Sequence, residues 1–302
     1  MTNPIKKMAV IGAGVTGSQI AAHCAAFGLE VSAYDPDPEA FSAAFTLYRS
    51  FLTHTRFSRQ PIISLQQLDE GASKVKVVQD LAQVLEGADL VFEAVPEKLL
   101  LKRQVFGQVD KLAPPEAILA TNSSSIPISR IEDATLRPEK CLNLHFYPPT
   151  IVNNMVDIMA GTRTTPETMQ AGLDWIRSIG SVPLPVQKEI LGFCFNRVWR
   201  AIKRETLYMW AGGFVDFRNI DRGWMIAYND SMGPFGRMDR VGLDVVYDIE
   251  MVYYNESADP KDKPPDALKA MVDRNELGLK TGRGFYTYPD PEYTRPDFLK
   301  GF

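Results

Sequence analysis

Three cysteines, three histidines and no apolar run near the ~18 residues of a membrane span leave several protein classes unsupported in this 302-residue chain. Cys24, Cys141 and Cys194 are odd in number, far apart and set in apolar patterns, which excludes a disulfide framework and zinc-ligand spacing. A reducing compartment and no metal are therefore expected. The apolar stretch after Lys6 and Lys7 stops at Gly12, too short for a signal-peptide core, so the expected location is cytoplasmic. Charge of one sign is missing too: 33 Lys and Arg face 37 Asp and Glu, a net charge of −4. That balance provides no general field for nucleic acid or an anionic membrane, and neither is expected as a partner. Internal repeats and low-complexity tracts are likewise absent.

What is present is enough apolar material, 45% of residues, for about two domains. Met8–Ile11 reads as a short buried strand, broken by glycines and followed by a helix of small and apolar residues from Ser18 to Phe27. Further strands are expected at 30–34, 74–78, 89–94, 117–121, 141–146, 156–159 and 182–186, alternating with helical segments. This pattern predicts an α/β fold, a Rossmann-type doubly wound and mostly parallel sheet. The interval 37–73 is too long for a plain crossover and reads as a helical insertion; its Arg49, Arg56 and Arg59 either form a solvated face or meet phosphates of a long ligand. From Gly192 the strand signal ends and helical patterns take over, at 193–210, 216–231 and 243–254, with an exposed loop at 256–265. The expected division is residues 1–187 for the sheet domain and 188–302 for an all-helical one. Aromatic positions such as Trp199, Tyr208 and Trp210 read as core or subunit interface.

Gly12-Ala13-Gly14-Val15-Thr16-Gly17 is a G-x-G-x-x-G between strand and helix, and Asp35 stands 18 residues beyond its last glycine, at the end of the second strand. Gly12 suits the tight turn, Gly14 lets a pyrophosphate approach, and Gly17 allows helix-on-strand packing, while the helix N-terminus around Val15 and Thr16 offers amide donors. Asp35 suits the adenosine ribose hydroxyls and repels a 2′-phosphate, and Pro36-Asp37-Pro38 brings no arginine, so NAD is expected rather than NADP.

Phe92 to Glu97 followed by Lys102, Thr121 to Ser125, His145-Phe146-Tyr147 with Asp157 twelve residues later, and Gly192 to Arg197 extend the pattern. Met232 to Phe235, Asp239 to Asp244 and Gly278 to Tyr286 carry it into the second half. Over nearly its whole length the chain resembles the short-chain L-3-hydroxyacyl-CoA dehydrogenases. The resemblance implies hydride exchange between a 3-hydroxyacyl substrate and NAD in a cleft between two domains, a place in fatty acid metabolism, and a homodimer through the helical domain. It implies His145 as general acid/base, with Asp157 at the position of its carboxylate partner. It further implies Ser124 and Asn196 on the substrate oxygen, and Glu97, Lys102 and Lys280 on the nicotinamide half of the cofactor. His145 suits this role on its own chemistry, since imidazole exchanges protons near neutral pH and a carboxylate on its second nitrogen fixes the tautomer. His23 and His54 show no partner pattern and receive no role.

Two positions depart from the family. Its usual glutamate partner of the histidine is the shorter Asp157 here, and Pro148 stands where the family commonly has asparagine. Asn153 and Asn154 are candidates to supply the missing polar group. In the insertion, Ser50, Arg56 and Arg59 are loose counterparts of the family's CoA contacts. The expected substrate is a 3-hydroxyacyl group carried on CoA; a non-CoA 3-hydroxy acid, and a catalytically silent NAD-binding protein, are the alternatives.

Overall fold

The first strand, β1 (Lys7–Ile11), is buried from Met8 onward, as a strand covered on both faces must be. Its side chains alternate between two cores: Met8 and Val10 join one cluster with Ile20, Phe92 and Trp175, while Ala9 and Ile11 join another with Val91, Phe106 and Leu119. Around it run β2 (Glu30–Tyr34), β3 (Lys76–Val77), β4 (Leu90–Glu93), β5 (Ile118–Thr121), β6 (Cys141–Phe146), β7 (Met155–Ala160) and β8 (Val182–Val186). The eight strands lie in the order β3-β2-β1-β4-β5-β6-β7-β8, all neighbours parallel except the antiparallel pair β6/β7. The sheet is covered by α1 (Val15–Ala26), α4 (Leu81–Leu85), α5 (Leu99–Leu112) and α6 (Pro166–Ser178), so the expected doubly wound fold is observed. Strand order reverses between β1 and β4, the switch point at which such sheets bind ligands beyond their carboxyl ends.

The computed structural model describes residues 5–55, 57 and 59–301, which form two compact units divided between Cys194 and Phe195. The insertion is helical, as expected: α2 (Ala40–His54) and α3 (Leu65–Lys74), the latter opened by a capping box at Ser64 and Gln67. The strand expected at 74–78 shrinks to β3, two exposed residues on the sheet edge, because α3 runs on through Lys74.

The second unit contains α7 (Phe195–Ala211), α8 (Phe217–Tyr228), α9 (Pro234–Val241), α10 (Leu243–Ser257) and α11 (Asp266–Asp273) around a core with Leu207, Phe235, Met238 and Tyr286. Its first helix starts at Phe195 and not at Phe193, since Gly192 and Phe193 adopt left-handed φ values of 84° and 52° that no α-helix continues through. The loop expected at 256–265 is partly ordered, with α10 reaching Ser257 and a 3₁₀ turn at Pro260–Asp262. Two buried carboxylates tie the unit together. Asp221 accepts the amides of Phe235 and Gly236 at 2.8 and 2.9 Å, and Asp239 accepts those of Phe285 and Tyr286 at 2.9 and 2.8 Å. This explains why an aspartate opens the 239–244 motif and why glycine-rich chain follows it at 278–284: a side chain on Gly284 would strike Asp239. Among the described residues no helix is long and apolar enough to cross a membrane.

His23, in the middle of α1, packs between Phe27 and Phe146 with no exposure and has its Nε2 2.8 Å from the carbonyl of Ile179. Burial pushes its affinity for a proton down, to a pKa of about 4. The unfolded chain therefore takes up a proton near pH 6.5 that the folded chain refuses until about pH 4. The stability this group leaves intact above pH 6.5 is lost as pH falls, at up to about 1.4 kcal/mol per unit. Between pH 6.5 and 5, urea unfolding of the wild type is expected to lose about 2 kcal/mol more than that of His23→Gln. Equal losses in the two proteins would contradict a proton-refusing His23.

Candidate active site

The carboxyl ends of β1, β4, β5 and β6 lie on one edge of the sheet and present Gly12, Ala94, Asn122 and Tyr147 in the turns that follow. At the switch point between β1 and β4 a groove of about 690 Å³ is lined by Gly12, Gly14, Val15, Thr16 and Asp35 on one wall and by Ala94 to Pro96 and Gln104 on the other. Of the fingerprint positions expected at the cofactor, Gly12, Gly14, Val15 and Thr16 are in this lining. Gly17 is not in the lining; its Cα approaches the turn so closely that a β-carbon would lie 1.8 Å from the Gly12 carbonyl oxygen. The φ of Gly12, +97°, permits that turn. Asp35 Oδ2 accepts the amide of Ala13 at 2.9 Å and Oδ1 that of Asp37 at 3.1 Å. The Asp35 carboxylate thus braces the glycine turn.

A dinucleotide suits these groups. A β-carbon on Gly14 would meet nothing within 4 Å, so open space lies where a phosphate approaches the N-terminus of α1. Asp35 stands at the end of β2 as an acceptor for hydroxyls, in a pocket whose lining includes no arginine to bind a 2′-phosphate.

Further along the edge, Glu97 is held by Ser123 and Ser125, whose hydroxyls donate to its Oε1 at 2.5 and 2.7 Å, with the Ser125 amide at 2.9 Å. Ser124, between these two serines, is exposed. Lys102 is almost wholly buried, its Nζ 2.8 Å from Glu93 Oε1, 3.2 Å from Glu97 Oε2 and 3.2 Å from the Val95 carbonyl. Glu97, with 37% of its side chain exposed against 1% for Lys102, is the more accessible member of that pair. The Lys102 ammonium and the surrounding donors hold the Glu97 carboxyl below its usual range against burial, while burial drives Glu93 upward. Glu93 and Thr121, whose hydroxyl donates to Glu93 at 2.6 Å, were not expected in the site; a carboxylate inside a run of apolar strand residues is the signal that marks Glu93.

His145 and Asp157 are direct cross-strand partners in β6 and β7, which is what brings them together. Their closest approach, Nδ1 to Oδ2, is 3.5 Å, longer than a good hydrogen bond. Asp157 Oδ2 instead accepts the phenol of Tyr147. Phe193 covers one face of the imidazole, stacked at 5.2 Å and 7°, the placement its left-handed backbone serves. Asn122 anchors the end of β6 by accepting the Phe146 amide at 2.9 Å. The sequence places Asn122, Tyr147 and Phe193 inside the motif stretches 121–125, 145–147 and 192–197 without assigning them these contacts.

Asn153 and Asn154 do not offer free amides in place of the missing asparagine: their Nδ2 groups donate to the carbonyls of Pro148 at 2.9 Å and Gly180 at 3.3 Å. In the insertion, Arg49 is paired with Asp69 at 2.8 Å, Arg59 reaches Asn154 at 3.5 Å, Ser50 neighbours His54 in α2, and Arg56 lies outside the described residues. Asn196 and Lys280 belong to the second unit, Asn196 in the first turn of α7 and Lys280 in the 3₁₀ turn Leu279–Thr281, ion-paired with Asp244.

Comparison with known proteins follows the same division. Residues 7–190 match the family model described as 3-hydroxyacyl-CoA dehydrogenase, NAD binding domain, and residues 192–288 match its C-terminal domain. A 5-formyl-3-hydroxy-2-methylpyridine 4-carboxylate 5-dehydrogenase of Mesorhizobium japonicum is 32% identical, over 96% of this chain and 93% of its own. A probable 3-hydroxybutyryl-CoA dehydrogenase of Bacillus subtilis is also 32% identical, over 95% and 98%. The crystal structure of an (S)-3-hydroxybutyryl-CoA dehydrogenase from Ralstonia eutropha superposes with a TM-score of 0.83 at 28% identity, covering 95% of this chain and 100% of that one. With a dinucleotide groove at the switch point, a histidine–carboxylate pair on the same sheet edge and both family models matched in order, the chain belongs to the NAD-dependent 3-hydroxyacyl-CoA dehydrogenase family.

Proposed function

We propose that this oxidoreductase interconverts a 3-hydroxyacyl-CoA and its 3-keto form, with His145 as general acid/base and Asp157 as its orienting partner. The observation that carries the reading is the cross-strand pair itself: Nδ1 of His145 faces Asp157 at 3.5 Å, which leaves Nε2 as the ring atom for substrate. In the oxidising direction Nε2 accepts the 3-hydroxyl proton as the carbonyl forms, and in reduction it returns that proton to the oxygen. NAD, when bound, supplies the hydride acceptor in one direction and, reduced, the donor in the other. Asp157 stabilises the imidazolium that forms, and Phe193 limits its contact with water. Ser124 and Asn196 are assigned to the substrate oxygen. Glu97, backed by Lys102, and Lys280 are assigned to the nicotinamide half of the cofactor.

A second reading, a non-CoA hydroxy or carbonyl substrate, is favoured by Pro148, which removes a polar group beside the reacting centre. The relative from M. japonicum, named for a pyridine carboxylate, accords with it. Loss of NADH absorbance with acetoacetyl-CoA beside free acetoacetate separates the two. Turnover of the thioester with kcat/KM at least about tenfold above the free acid is expected, since the CoA handle contributes binding energy remote from the reacting carbon. Turnover of the free acid alone would transfer the substrate class and leave the histidine mechanism in place.

The second unit exposes Tyr208, Phe214, Ile226 and Tyr228, a set of large apolar side chains that supports a homodimer through this unit. Sedimentation is expected to give twice the 33.8 kDa chain mass; a single-chain mass at micromolar concentration would remove the dimer.

A further inference from the structure

Asp157 has no exposed surface, and its Oδ1 meets no donor among the described residues. Its Oδ2 is approached from two sides, by the phenol of Tyr147, which donates to it, and by His145 Nδ1 at 3.5 Å. Tyr147 follows His145 by two residues at the end of β6, so its ring comes to the same side of the chain and meets the imidazole edge-on, with centroids 4.6 Å apart at 75°. A carboxylate in a dry interior keeps its charge and its rotamer only where donors meet it. Here the hydrogen bond comes from the phenol, because the imidazole stands beyond hydrogen-bonding distance.

We infer that Tyr147 is a positioning residue of the reaction centre, holding the Asp157 carboxylate so that Oδ2 faces His145, the task an additional methylene performs where a glutamate occupies this place. The inference deepens the assignment of His145 as acid/base and rests on it. Two features of the chain become one: the shortened carboxylate and the tyrosine two residues past the histidine compensate each other. Asp157 Oδ2 is the atom that both the phenol and the imidazole approach, so a change at Tyr147 reaches His145 through Asp157 and not through packing alone.

Tyr147→Phe keeps the ring and its edge contact with His145. It is expected to lower kcat for acetoacetyl-CoA reduction by about ten- to a hundredfold, the equivalent of one hydrogen bond to a charged group, with KM within about twofold. Adding Asp157→Glu to Tyr147→Phe is expected to restore most of that rate, because the longer arm reaches Nδ1 without the phenol. The same Asp157→Glu change beside an intact Tyr147 is expected to leave kcat no higher than wild type. The chain has only three histidines, so ring nitrogen resonances of ¹⁵N-histidine protein are assignable with His145→Gln. Tyr147→Phe should move the Nδ1 signal of His145 and leave those of His23 and His54 in place. Unchanged kcat and Nδ1 in Tyr147→Phe, or a double variant no faster than Tyr147→Phe, would overturn the inference. Should Tyr147→Phe not fold, Asp157→Asn beside intact Tyr147 decides: an Nδ1 signal equal to wild type shows that no carboxylate is held against the ring. If wild type fails to reduce acetoacetyl-CoA, the proposed substrate falls, and the resonance comparison still decides the role of Tyr147.

Discussion

His145→Gln is expected to lower kcat by about a thousandfold while the affinity for NADH stays within about twofold, since positioned acid–base groups contribute some 10²–10⁴ in rate. Glutamine fills a similar volume beneath the stacked Phe193 and keeps a polar head toward Asp157, so the loss isolates the one property it lacks, a site that both takes and returns a proton. The groove that receives the dinucleotide is built from the β1 and β4 turns and includes no atom of His145, which is why binding should survive. Fluorescence titration with NADH beside initial rates with acetoacetyl-CoA gives both quantities. Residual kcat above about a tenth of wild type would mean that another group serves as acid/base. Lost NADH binding would mean that His145 supports the fold of the groove.

The fold was legible where local chemistry and tertiary demand coincide. Met8 to Ile11 had to be a strand covered on both faces, and the glycines after it left only a turn that opens a helix. The pairing of His145 with Asp157 was legible from the resemblance, and the sheet supplies its physical basis by placing the two directly opposite in antiparallel strands. What stayed hidden depends on contacts remote in sequence. Lys102 is expected at the cofactor, yet two carboxylates and a carbonyl draw its ammonium inside. Phe193 reads as the start of a helix, and only the stacking on His145 accounts for a left-handed phenylalanine, a conformation that costs about 1–3 kcal/mol and is kept where surrounding structure demands it. Tyr147 reads only as the end of the 145–147 motif, and its phenol finds a partner because β7 brings a buried carboxylate to it.

The second and third glycines of the fingerprint should fail in opposite ways. Gly17→Ala sets a β-carbon 1.8 Å from the Gly12 carbonyl oxygen and 3.0 Å from its carbon, backbone atoms of a turn that is itself pinned through the Gly12 amide to Tyr34 at 2.9 Å. Neither side can yield without moving α1 off β1, where Ile20 and Val10 share one core, so a loss of about 3 kcal/mol in unfolding free energy is expected. NADH binding should weaken with it, since the amides at the start of α1 shift together. Gly14→Ala presents the contrary case. Its φ of −69° suits any residue and its β-carbon meets nothing within 4 Å, so thermal unfolding should match wild type to within about a degree. The added methyl nevertheless projects into the groove where backbone must approach a pyrophosphate, and the Kd for NADH should rise about tenfold or more. Calorimetric melting and NADH titration of both variants separate architecture from ligand contact. A stable Gly17→Ala would contradict the close packing of helix on turn, and a Gly14→Ala that binds NADH like wild type would place the pyrophosphate away from the N-terminus of α1.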